Sequence, residues 1–257
     1  MNNDYIVCYL DILGYSNFIN QYFDDEEIRK QEEKHFENIL NLWETTKRQI
    51  SCGGFLVKHT DKIINKTVIR MISDGIIISM PLNDLPPIFL DETPETKLQN
   101  KQFHVNNYLL FLCNIHLLFI EKGHLLRGAI SVGQHYEKSY KSNLFLYSKA
   151  LVDTVKLEKS AKYPRIIMRD NVTDSPMIYT DYEGVRCLDV YQSLGRYSEP
   201  RNREILKNIS MELKRLVTLY RSEPDILSKY RYFIEYHNKR ISQISNYLDL
   251  VVDITNP

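Results

Sequence analysis

Apolar positions along this chain follow two different periods, and the switches between them predict its elements. Residues 5 to 11, "YIVCYLD", form an almost continuous β-branched and aromatic run, the pattern of a central strand, and lead into an "ILGYS" turn. From Asn17 to about Arg48 the apolar residues Phe18, Ile19, Phe23, Ile28, Phe36, Ile39, Leu40 and Trp43 recur mostly at three- and four-residue steps among charged ones. That spacing predicts helix, with "FDDEE" as a break between two helices. A short strand is expected over Phe55 to His59, then a turn near "TDKIIN". In "KTVIRMISDGIIISM" two β-rich runs, Thr67 to Ile72 and Ile76 to Met80, flank an Asp-Gly turn, which is a hairpin in sequence form.

Residues 81 to 102 hold four of the nine prolines and read as a loop. "YLLFLCNIHLLFI" (108 to 120) contains Asn114 and His116 and falls short of the roughly 20 apolar residues of a membrane span, so it reads as a buried core helix. A strand ("HLLRGAISVGQHY"), a strand running into a helix ("NLFLYSKALVDTVKLEKSA"), a further strand ("YPRIIM") and a hairpin turning at "DYEG" follow. From about Glu199 the spacing is helical, and "SEPD" resets it, so the tail is expected to be a helical hairpin. The order predicts an α+β fold with a mainly antiparallel sheet backed by helices. The boundary is placed between residues 1–196 and a C-terminal extension, 197–257.

Thirty-three basic and thirty-three acidic residues cancel, so no global field draws the chain to nucleic acid or to an anionic membrane. Neither partner is expected. Cys8, Cys52, Cys113 and Cys187 form no CxxC pair and read as reduced thiols, which favours the cytoplasm, and "MNNDYIV" lacks the form of a secretory signal. The seven histidines show no HxxxH or HxH spacing, so zinc is not expected.

Candidate chemistry rests on two aspartates inside apolar runs, Asp11 at the end of the first strand and Asp74 at the hairpin tip. Burying a carboxylate is costly unless it is paired, hydrogen-bonded or metal-bound. The two are either turn-capping residues or, if their strands are neighbours, oxygen ligands for Mg²⁺ or Mn²⁺ in one cleft. In the second case Gly14 lets the backbone of Leu13, Gly14, Tyr15 and Ser16, at a helix start, approach a phosphate. Arg127 in "LLRGAI" faces phosphate or pairs with a neighbouring acid.

"YLDILGYS" resembles the first metal motif of class III nucleotidyl cyclases, and "IRMISDGIIIS" resembles their second. "HLLRGAISVG" and "LYSKALVDTVKLE" are similar to the strand and helix that follow, so the likeness spans residues 5 to 168. It implies a ferredoxin-like palm in which Asp11, Asp74 and the Ile12 carbonyl hold two ions against a nucleoside triphosphate. It also implies a homodimer with composite sites. Val152 and Lys156 stand where the family has Asn and Arg, leaving Lys156, with Arg127, as the catalytic cations. Arg70 and Phe145 stand at the base-reading positions, where the adenine-reading pair is absent, and Arg70 either donates to a carbonyl of uracil or cytosine or is an edge-strand arginine with no ligand. The pattern is similar to bacterial pyrimidine cyclases of anti-phage signalling, which make cyclic UMP or cyclic CMP.

Overall fold

The computed structural model describes residues 4–15, 25–27, 29–30, 33–34, 37, 66–72, 75–83, 85, 93–141 and 143–253. Of the expected elements, the 55–59 strand and the turn near 61 lie outside the described residues, as does most of the 17–48 helical region.

Strand β1 (Asp4–Ile12) runs between β3 (Gly75–Pro81) and β4 (Leu126–Tyr140), antiparallel to both. β2 (Val68–Ile72) pairs with β3 as the expected hairpin. The order β2-β3-β1-β4, antiparallel throughout, is that of the ferredoxin-like split βαβ unit. Beyond β4 the sheet continues through β6 (Ile166–Met168), β8 (Arg186–Leu188) and β7 (Ile178–Thr180), while β5 (Asn143–Ser148) pairs with the far half of β4. Among the described strand pairs the β4–β6 pair is parallel and the others are antiparallel. The α+β class and the mainly antiparallel sheet are as the pattern predicts.

Side chains alternate across β1 because the strand period is two. Ile6, Cys8, Leu10 and Ile12 face helix α1 (Pro94–Glu121) and pack with Tyr108, Leu109, Leu112 and Cys113. Tyr5, Val7 and Tyr9 lie on the other face, with Ile77, Leu146 and Ala150, under helix α2 (Lys149–Glu158). Asp11 continues that second row. Gly128 permits the close β1–β4 approach, because a Cβ there would meet the Tyr9 carbonyl at 2.5 Å and Leu10 at 2.7 Å.

The expected 81–102 loop needs correction, since α1 begins at Pro94. Thr93 caps it by accepting from the Thr96 N–H at 3.2 Å, and Pro94 occupies the first turn, where a missing N–H costs nothing. α1 is long and apolar enough to cross a membrane by length and composition, and most of it is buried inside the protein. Its C-terminal half packs against the tail helices α3 (Glu199–Leu219) and α4 (Pro224–Ile241): Leu117 and Ile120 share a core with Ile205, Ile209, Leu213, Phe233 and Ile234. Cys8, Cys113 and Cys187 are buried free thiols, and Cys52 lies outside the described residues.

Candidate active site

Asp11 closes the central strand at a point fixed from both sides: its register partners are Gly75 on β3 and Arg127 on β4. Gly75 is the residue that follows Asp74 in the chain. Asp74 itself lies outside the described residues, as does Ser16. The Leu13 N–H donates to the Leu125 carbonyl at 3.0 Å, which extends the β1–β4 ladder by one bond. The alternation of that antiparallel ladder turns the Ile12 carbonyl away from β4, toward the side on which β3 begins. The Leu13 N–H, one of the backbone groups expected at a phosphate, is engaged in that ladder. Gly14 follows with φ of 85°, a left-handed turn that a side chain would strain, and with open space where a Cβ would stand. The Leu13 and Tyr15 side chains pack into the two main cores on either side of it.

Of the two roles open to it Arg127 takes that of an acid's partner, and with two acids. Its Nη2 donates to Asp11 Oδ2 at 3.0 Å, and its Nε forms a closer ion pair with Glu158 Oε1. Glu158 went unnoticed in the sequence, although Ala150, Thr154 and Glu158 recur every four residues and all three are buried. That stripe docks α2 on β4: Ser131 Oγ donates to the Ala150 carbonyl at 2.9 Å and lies 2.7 Å from Thr154 Oγ1. α2 runs antiparallel to β4, so its C-terminal end, with its partial negative charge, arrives beside Arg127 and Asp11.

Lys156 points elsewhere. Two residues from Glu158 is over half a helical turn, and Lys156 is exposed along with Lys149, Val152 and Lys159. One chain therefore does not bring Lys156 to Asp11. Arg70 is held by Glu137, whose Oε1 accepts from Arg70 Nε at 2.7 Å. Glu137 was also missed by the sequence reading, as a charge in a strand that reads as solvated. Glu137 stands opposite Leu146, which faces the sheet, whereas Phe145 stands opposite Lys138 and is half-exposed. Alternation puts Arg70's partner, Glu137, and Phe145 on opposite faces of the β4–β5 ribbon. His135 lies beneath, buried, with Nε2 3.7 Å from Glu137 Oε2 and its pKa lowered by burial.

Asp11 offers the carboxylate oxygen that a hard divalent cation takes, and its Oδ2 accepts from Arg127, which is also paired with the second carboxylate nearby, Glu158. Among the described residues no group of three or more His, Cys, Asp or Glu side chains is placed to hold a metal.

No family model matches the chain, and no curated protein matches it in sequence. Solved structures do resemble it. The catalytic core of a rhodopsin-guanylyl cyclase of converted specificity, in complex with ATPalphaS, is 12% identical over 72% of this chain and 94% of that one, with a TM-score of 0.46. A class III adenylyl cyclase-like ATP-binding protein from Pseudomonas aeruginosa is 11% identical over 77% of this chain and 41% of its own, with a TM-score of 0.47. An adenylyl cyclase from P. aeruginosa is 8% identical over 67% and 79%, with a TM-score of 0.39. At such identities the chemistry has to be read from the residues.

Proposed function

We propose that this chain is a metal-dependent nucleotidyl cyclase that converts UTP or CTP to a 3′,5′-cyclic mononucleotide and pyrophosphate. The observation that carries this reading is the register of β1 on β3: Asp11 lies across from Gly75, the residue that follows Asp74 in the chain. That register supports reading the two aspartates, isolated in the sequence, as ligands of one site, with the Ile12 carbonyl turned toward the β3 side. Mg²⁺ or Mn²⁺ on these oxygens would supply charge neutralisation and activate the attacking hydroxyl.

The chain's own groups do the rest. The left-handed turn at Gly14 lets backbone approach the triphosphate, and Arg127 offers a cation beside Asp11. The 3′-oxygen bonds to the α-phosphorus as the α–β anhydride breaks, and the hydroxyl proton leaves to solvent. Arg70, steadied by Glu137, donates to a base carbonyl such as uracil or cytosine presents. Lys156 faces away from Asp11 in its own chain, which supports a homodimer in which a second copy's α2 completes each site. The product would act as a cytoplasmic second messenger of the anti-phage kind.

Purified protein incubated with Mn²⁺ and each of the four nucleoside triphosphates is expected to release cyclic product and pyrophosphate from UTP or CTP. Asp11→Ala and Asp74→Ala should each lower that rate at least about a hundredfold while leaving the circular dichroism spectrum unchanged. Absence of cyclic product from all four nucleotides overturns the reading. A second reading, a cyclase-fold protein that binds nucleotide without turning it over, is favoured by the engagement of Arg127 and Arg70 with their own glutamates. Tight nucleotide binding with no pyrophosphate release would establish it.

A further inference from the structure

The geometry points to the outward face of the β4–β5 ribbon as a platform for single-stranded RNA, a site that does not depend on the cyclase reading. The ribbon continues β4 past Gln134, where β1 has its first paired residue. Its register sets Tyr136 beside Tyr147, Lys138 beside Phe145 and Tyr140 beside Asn143. Alternation gathers these pairs on one face, because the residues between them turn inward. His135 is buried, Glu137 is held by Arg70, and Leu146 packs with Val7 and Ile77. Tyr136, Tyr140, Phe145 and Tyr147 are left 44–68% exposed.

Four rings clustered on one exposed face mark an interaction surface, and their neighbours indicate its partner. The face carries no aliphatic side chain, as a bilayer or a packed protein interface would favour. Lysine stands among the rings instead, a residue depleted from protein interfaces and suited to phosphate. Between Gln134 and Ser148 the one acid is Glu137, and it faces the other way, so the charge presented outward is positive. At the tip, Lys141 Nζ lies 5.6 Å from the centre of the Tyr140 ring. Tyr136 and Tyr147 have centroids 6.4 Å apart and planes tilted by 45°, so neither ring covers the face of the other and a base can stack on each. Three of the four rings end in a hydroxyl able to bond a ribose 2′-hydroxyl, the group that separates RNA from DNA. The chain carries no net charge, so the attraction is local and sensitive to salt.

The test is fluorescence anisotropy of a labelled oligouridine of about 10 nucleotides titrated with the full chain. Binding is expected at about 50 mM salt and should weaken about sevenfold by 200 mM, the slope for two phosphates met by Lys138 and Lys141. Lys138→Gln should roughly halve that slope. Tyr136→Ala and Tyr147→Ala should each weaken binding at least about fivefold, as the loss of one stacked base does. Tyr147→Phe should keep most of the affinity for RNA and lose part of the preference over DNA.

No binding at low salt overturns the inference, as does equal binding of an RNA duplex or of single-stranded DNA. Unchanged binding by the Tyr136→Ala, Tyr147→Ala double variant overturns it too; if that variant instead turns a dimer into a monomer on sedimentation, the face belongs to a second copy. Asp11→Asn should bind the oligonucleotide as wild type does, and a loss there would place the RNA at the strand end and overturn the ribbon site. Should the tyrosine variants fail to fold by circular dichroism, the salt slope of Lys138→Gln decides, and an unaltered slope overturns the inference.

Discussion

Single residues divide here into those the sequence betrays and those it hides. Asp11 was legible because a carboxylate in an apolar run demands a partner, whereas Glu158 and Glu137 looked like ordinary surface charges until the fold buried them against arginines. His116 is the opposite case, a polar residue whose cost was not visible in advance. It is buried on α1 against Phe233, neither ring nitrogen has a hydrogen-bond partner among the described residues, and burial lowers its pKa from 6.5 to about 3. His237 on α4, between the Tyr191 hydroxyl and Ser210, is lowered to about 4, again chiefly by burial. Both histidines fold neutral, so the unfolded chain binds more protons below pH 6.5, and stability falls as pH drops from about 6.5 toward 4. His116→Leu removes two unsatisfied atoms and one of these titrations. Chemical denaturation should show it more stable at neutral pH by about 1–3 kcal/mol, with a shallower loss of stability on acidification.

Elements were legible wherever period and punctuation agreed. The 68–81 hairpin, α2 and the two tail helices fall where spacing and turn residues place them. The start of α1 was hidden because proline signals both a break and a first helical turn, and the cap at Thr93 settles which. Less legible still was what ties the tail to the sheet. Asp189, just after β8, is buried at 1% exposure, accepts from the Tyr236 hydroxyl at 2.7 Å and from Gln192 at 3.0 Å, and is paired with Arg240. A buried carboxylate that loses its cation is left uncompensated. Arg240→Met is therefore expected to lower unfolding stability by about 2–3 kcal/mol, less than the ~3–5 kcal/mol of a fully isolated pair because Tyr236 and Gln192 remain. Asp189→Asn in the same chain should recover part of that loss. A urea titration of the single and double variants checks both.

At the scale of the whole molecule, the order of elements predicted an α+β fold with a mainly antiparallel sheet, and the ferredoxin-like arrangement was implied only by the motif resemblance. How the tail sits could not be read from spacing, because two amphipathic helices pack as well on each other as on a third surface. In the structure they close over the C-terminal half of α1 and over Leu125, so the 1–196 portion alone would expose Leu117, Ile120 and Leu125 to water. A chain ending at Arg196 is expected to be insoluble or to melt without a cooperative transition, whereas a stable, monodisperse 1–196 product in a thermal scan would contradict that packing.

The register that places Asp11 across from Gly75 also constrains how this chain can change over generations. β1 is clamped by a strand on each side, and its side chains alternate strictly between the α1 core and the α2 face. Substitutions along it can be absorbed one at a time, on whichever face they fall. A single inserted or deleted codon cannot, because it would turn the carboxylate into the α1 core and bring Leu10 or Ile12 to the cleft. In this strand descent is expected to proceed by replacement and never by change of length.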